Sequence, residues 1–236
     1  ADTASAQAKT GLTEVVTAGK SYYLKITATT AAATDIILQH CEVAVQRASG
    51  IAGEALLLRL GGSHKLTLTA ANQAQKVDML SVEWFDKAAN AVVEFAFRVP
   101  SDGAGTGVDL SVGIANATHA TDADSITDSV FMHIDANNVN INFESDDGTT
   151  EVAATDSTID YAEGSGLSVR KEVWMDMRNP ADIQIYVDGA LVLGATVFNV
   201  NASVAVWKLL AHLEKTASVD TYEFMLDWFR ARFSEQ

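Results

Sequence analysis

Two pairs of acidic residues, Glu172 with Asp176 and Glu223 with Asp227, are spaced so that both members point to one face of a β-strand. Paired carboxyl groups are what glycoside hydrolysis uses, about 5–5.5 Å apart in retaining enzymes and about 6.5–9.5 Å in inverting ones. Four strand residues at about 3.3 Å each put the backbones about 13 Å apart. Neither pair fits, and Met225, not a carboxylate, stands between Glu223 and Asp227. A pair assembled from two strands lies beyond this spacing test. The expectation is a protein that is not an enzyme.

Holding a sugar without cutting it asks for less: an aromatic ring beside hydrogen-bonding groups. Trp174 shares a strand face with Glu172, Asp176 and Arg178, and His133, Asn140, Asn142 and Glu144 alternate onto a face of the same kind. Trp174, Asp176, His133, Asn140 and Asn142 are thus the candidate carbohydrate-contacting residues. The competing reading makes Trp174 a cap on the core edge and the asparagines a solvated ladder. No metal or cofactor is expected. The histidines are scattered, with no i,i+4 pair, and His133 with Asp135 is a commonplace i,i+2 spacing. "DADSITD", Asp122 to Asp128, offers calcium-type oxygens but lacks the EF-hand glycine and closing glutamate. "SDGAGTG" has no following Lys-Ser/Thr and opens no helix, so it is not a phosphate loop. Cys41 stands alone and reads as a small buried thiol.

The elements that must position these residues are strands. The chain has 236 residues, 48% of them hydrophobic, so a sizeable core can form. A net charge of −15 repels phosphate backbones and anionic lipid, which argues against nucleic-acid and membrane partners. From "SYYLKITAT" onward, short alternating runs are punctuated by turn residues. "EALLLRLGGSHKLTLTA" reads as two strands about Gly61-Gly62, and "MLSVEWFDKAANAVVEFAFRVP" as two about "DKAAN". "VFMHI" and "VNINFES" flank "DANN"; "DDGTTEVAA" turns again. "LSVRKEVWMDMRN" reads as a long strand ended by Pro180, "DIQIYVDGALVL" as a hairpin on Asp188-Gly189, and "TYEFMLDWFRARF" as the last strand. Residues 35–48 fit either a strand or a helical stripe. Residues 1–20 read as a polar arm, and 21–236 as one β-sandwich domain. Ala1 fits removal of an initiator Met or of a signal peptide.

These runs carry a resemblance. "WMDMRNPADIQIYVDGALV" resembles the hairpin of the concanavalin A-like lectin/glucanase superfamily, laminin G-like modules included, through Trp174, Tyr186, Val187, Asp188 and Gly189. "FMLDWFRARF" resembles the closing strand of family 16 glycoside hydrolases through Asp227, Trp228 and Arg230, and "GIAGEALLLRLGG" an early strand of the superfamily. The resemblance spans about Gly50 to the C-terminus. It implies an all-β, antiparallel jelly-roll β-sandwich. The Glu-x-Asp-x-(x)-Glu run of the family 16 enzymes is missing. "FMHIDANNVNINFESDDGTTEV" is similar to structural proteins of tailed bacteriophages through Phe131, Glu144, Asp147, Gly148 and Thr149.

Two functional classes follow. The first is a non-enzymatic structural protein on the outer capsid of a phage virion, made in the host cytoplasm. It would be a decoration or cement subunit whose partners are the major capsid protein and copies of itself, as a trimer. The second is a carbohydrate-binding, lectin-like module with a glycan as partner.

Overall fold

The computed structural model describes residues 57–60, 64–70, 72–101, 108–117, 123–135, 138–161 and 169–233. The readings of the arm, of residues 35–48 and of Cys41 lie outside them. All thirteen strands, β1 (Leu57–Leu60), β2 (His64–Leu68), β3 (Gln73–Leu80), β4 (Ala91–Ser101), β5 (Val108–Ala115), β6 (Asp128–Asp135), β7 (Asn140–Asp147), β8 (Glu151–Asp160), β9 (Lys171–Asp176), β10 (Gln184–Val187), β11 (Ala190–Val192), β12 (Lys208–Ser218) and β13 (Tyr222–Phe233), pair antiparallel. They form a seven-stranded sheet, β1-β13-β4-β9-β10-β11 with β2 also on β13, and a six-stranded sheet, β3-β12-β5-β6-β7-β8. The expected all-β jelly-roll sandwich is the fold observed.

Period-two alternation decides what each sheet buries. In β6, Val130, Met132 and Ile134 enter the core between the sheets, and Phe131 and His133 point the other way. In β7, Ile141 and Phe143 face the core beside them. The core is rich in phenylalanine: Phe95 and Phe229 are direct cross-strand partners with ring centroids 5.5 Å apart, edge to face. Such aromatic pairs add about 0.5–1.5 kcal/mol beyond their buried area. A second, small cluster, Ala115, Ala123, Ile126, Phe131 and Leu210, sits on the outer face of the six-stranded sheet, where Ala123 and Ile126 of the β5–β6 connection fold back onto it.

The Asp188-Gly189 turn forms as the sequence predicts. Both residues have positive φ, 50° and 79°, as a two-residue type I′ hairpin requires. β1 and β2 are the two strands read about Gly61-Gly62, and they do not pair with each other. They follow one another along the same edge of β13, Leu57–Leu60 opposite Phe229–Arg232 and His64–Leu68 opposite Tyr222–Leu226. The "DKAAN" loop joins β3 to β4, one in each sheet. Asp86 caps a short 3₁₀ turn there by accepting the Ala88 N–H, and Asn90 leaves it in the left-handed region. β9 is shorter than predicted and ends at Asp176, four residues before Pro180, because the Asp176 and Asn179 side chains accept the backbone N–H groups of Arg178 and Ala181 and start a turn. At the end of the six-stranded sheet, among the described residues, β8 pairs with β7 through two register shifts and carries Thr158 at a φ of 61°.

Candidate functional site

Each sheet presents one worked outer face. On the seven-stranded sheet, Val173 and Met175 point into the core, so Glu172, Trp174 and Asp176 point out. The register sets Trp174 between Glu94 of β4 and Tyr186 of β10, and Asp176 between Val92 and Gln184. The Trp174 and Tyr186 rings lie 6.3 Å apart, tilted by 47°. Trp174 keeps 37% of its surface exposed, so it does not cap the core edge. The two rings line an open cavity of about 540 Å³ with Asp176, Arg178, Arg232 and Asn90. Asp176 accepts Arg178 Nε at 2.8 Å and Nη2 at 2.5 Å, and this guanidinium holds its carboxyl below the usual range.

Beside the cavity, buried Glu94 takes Arg230 Nε at 2.6 Å and also Arg232 Nη2. A bulge between Leu226 and Trp228 turns both Asp227 and Trp228 outward between the core residues Leu226 and Phe229. The same-strand carboxylates are all paired. Glu172 meets Arg170 at 2.8 Å, Asp227 meets Arg98 at 2.9 Å and Arg170 at 3.3 Å, and Glu223 meets Lys65 at 2.5 Å.

The six-stranded sheet carries a different set. One line of directly opposed residues, Asp78, His212, Ser111, His133, Asn142 and Asp156, crosses all six strands. His212 Nδ1 lies 2.5 Å from Asp78 Oδ1, and its Nε2 lies 3.2 Å from Glu214. His133 Nδ1 lies 3.3 Å from Asp124 and 3.4 Å from Asp109. Burial pushes His133 down, but the Asp124 and Asp109 carboxylates more than offset it and its pKa rises to about 9. Burial, joined by the Asp124 charge, pushes Glu144 up to about 8. Burial also pushes Asp124 up, but the His133 hydrogen bond and charge leave it below the usual range. Asp124 and Glu144 lie close enough for each to shift the other's titration. Near neutral pH this is an ionised carboxylate beside a neutral carboxylic acid, with a protonated imidazole between acidic groups. Ligand atoms of Asp109, Asp124 and His133 lie within 4.8 Å of one another, close enough for a cation, though a protonated imidazole cannot ligate a metal. In "DADSITD" the described acids part company: Asp124 goes to His133, and Asp128 takes Ser203 Oγ and Asn116 Nδ2. Asp122 lies outside the described residues.

The five predicted sugar contacts therefore divide. Trp174 and Asp176 share the cavity on the seven-stranded sheet. His133 and Asn142 sit side by side on the six-stranded sheet, and Asn140 donates to Asp156 at 3.0 Å. Tyr186, Arg232 and Glu94 were missed at the first site, and Asp78, Asp109, Asp124 and His212 at the second. Asp124 joins because the β5–β6 connection folds back, and the others join through cross-strand register; short-range spacing gives no signal for either.

No family model matches the sequence, and no curated protein matches it. Solved structures do. Residues covering 76% of this chain and 89% of the other superpose on the carbohydrate recognition domain of Emp47p at 14% identity and TM-score 0.50. An endo-acting O-glycanase of the human gut microbiota, described as initiating mucin breakdown, matches over 72% of this chain and 79% of its own at 11% identity and TM-score 0.50. LamAcat from Zobellia galactanivorans matches over 76% and 77% at 13% identity and TM-score 0.46. This is a concanavalin A-like β-sandwich. At these identities the likeness establishes the fold of the sandwich and no more. The expectation that the chain is not an enzyme is corrected on that fold alone. An O-glycanase uses this fold, so a missing same-strand motif does not exclude activity. The structures named here include no virion protein.

Proposed function

We propose that this concanavalin A-like sandwich is a carbohydrate-binding domain whose site is the cavity on the seven-stranded sheet. The observation that carries the reading is Trp174 beside Tyr186, side by side along an open cavity edged by the Asp176–Arg178 pair. Apolar ring faces contact sugar C–H groups, and a fixed carboxylate–guanidinium pair hydrogen-bonds hydroxyls. The glycan-recognising and glycan-cleaving proteins that share the fold support it. A glycan array followed by calorimetry tests it. Trp174→Ala should weaken binding about tenfold or more at unchanged thermal stability. Unaltered affinity in that variant moves the site off this face.

A second reading, a decoration subunit on a phage head binding the major capsid protein as a trimer, is supported by the sequence likeness about Asp147-Gly148-Thr149. Asp147 makes that turn rigid by accepting the N–H groups of Thr149, Thr150 and Ala202. Failure of the chain to co-sediment with capsids at micromolar concentration would remove it.

A further inference from the structure

The arginines are unevenly placed. Every described one belongs to or flanks the seven-stranded sheet: Arg59, Arg98, Arg230 and Arg232 on its strands, Arg170 and Arg178 beside β9. The outer face of the six-stranded sheet instead carries Asp78, Asp109, Asp135, Glu144, Asp156 and Glu214. In a chain of net charge −15, the described guanidinium groups of Arg98, Arg170, Arg178, Arg230 and Arg232 gather on one sheet.

Most of them are matched to carboxylates. Arg98 and Arg170 share Asp227 and Glu172, and Arg178 is matched by Asp176. Glu94 is the exception: one carboxylate, 1% exposed, is held by two guanidinium groups. Arg230 gives its Nε to Glu94 and lies over the Trp228 ring at 4.7 Å. Arg232 is the cation in excess. It reaches Glu94 through Nη2, its side chain is 53% exposed, and it lines the cavity with Trp174. A guanidinium has several N–H donors in a planar fork that matches carboxylates and similar anions. Arg178 lines the same cavity with its side chain 61% exposed, and Asp176 engages only its Nε and Nη2.

We propose that the cavity takes an acidic sugar, a ring bearing a carboxylate or a sulfate, with the ring against Trp174 and the acidic group at Arg232 and Arg178. This rests on the carbohydrate reading above. A neutral ring would leave Arg232 with only the one Glu94 carboxylate that it shares with Arg230. The chain's overall negative charge opposes a polyanion at long range. At physiological salt that opposition decays over about 8 Å, so the local guanidinium groups decide the contact.

The test uses the full chain and three tetrasaccharides: oligogalacturonate, hyaluronan and sulfated galactan. Each is paired with its uncharged counterpart, the methyl ester or the desulfated form. Calorimetry should give at least one acidic member binding about tenfold tighter than its counterpart, the worth of one charge-assisted fork. Whether uronate or sulfate shows the difference identifies the acid. Arg232→Gln and Arg178→Gln should each remove most of that preference. Arg178→Lys should fail to restore it, because a lysine lacks the planar fork. Thermal melts confirm folding, and the exposed Arg178 gives a variant with no buried partner to disturb. Equal or tighter binding of the uncharged counterparts overturns the acidic assignment and leaves a neutral-glycan site. An unchanged preference in both glutamine variants overturns it too. No binding to this panel or to a glycan array overturns the carbohydrate reading itself.

Discussion

His212 Nδ1 and Asp78 Oδ1 lie 2.5 Å apart on neighbouring strands, with the imidazole wholly buried. Burial pushes His212 down, and the bond to Asp78 with its charge reverses the shift, so its pKa lies above the usual value. Asp78→Asn removes the charge and keeps the shape. It should lower the His212 pKa, read by NMR titration, and cost about 1–3 kcal/mol of stability. An unmoved His212 titration would refute the pairing.

Stability should fall as pH rises above neutral. The folded-state pKa of His133 is raised from 6.5 to about 9, and that of Glu144 from 4.5 to about 8. A raised folded pKa gives stability that is complete below the unfolded value and lost as pH climbs through the folded one. For Glu144 the loss runs from pH 4.5 to about 8, and for His133 from 6.5 to about 9. Calorimetric Tm should therefore decline across the overlap, and Glu144→Gln should make the decline shallower. A Tm that rises from pH 6.5 to 9 contradicts both assignments.

Glu94→Gln should be among the costliest charge changes on the seven-stranded sheet. It leaves Arg230 and Arg232 without the buried carboxylate that orders both, and losing hydrogen bonds to a charged group costs about 1.5–3 kcal/mol. Urea denaturation measures it. A loss no larger than that of the surface variant Lys65→Gln would show that Glu94 is not an anchor.

Two glycines should respond differently to alanine. At Gly113 an added Cβ would lie 2.0 Å from the Val130 carbonyl oxygen, so β5 and β6 would have to separate. Gly189 has no atom within 4 Å of such a Cβ, and only its φ of 79° is strained by a side chain. Gly189→Ala should cost about 1–2 kcal/mol and Gly113→Ala more. The reverse order in denaturant midpoints would argue against the β5–β6 register.

What could be read from sequence was local. Asp188-Gly189 announces its turn because two residues set the hairpin geometry, and the inward and outward faces of β6 and β7 follow from alternation alone. Gly61-Gly62 and "DKAAN" say only that a strand stops. Whether the chain then pairs with itself or crosses to the other sheet depends on partners far along the chain, which reading two strands about each does not tell. The same divide runs through the sites. Trp174 and Asp176 lie on one strand and were found together. Arg232 joins them only through β13–β4–β9 pairing, and Asp124 reaches Glu144 only because the β5–β6 connection folds back onto the sheet. The division of the five predicted contacts between two faces has the same origin: alternation tells which residues of a strand point together, not which sheet holds the strand.

The irregular edge at β8 has a consequence for how copies of the domain meet. A straight outer strand offers a row of free amide and carbonyl groups on which a second molecule can add its own strand. With its two register shifts, its left-handed Thr158 and the acidic Asp156 and Asp160, β8 presents no uninterrupted row and repels an identical edge. Among the described strands, β8 is therefore a poor template for a continuous intermolecular sheet, and copies that meet along it would do so through side-chain surfaces.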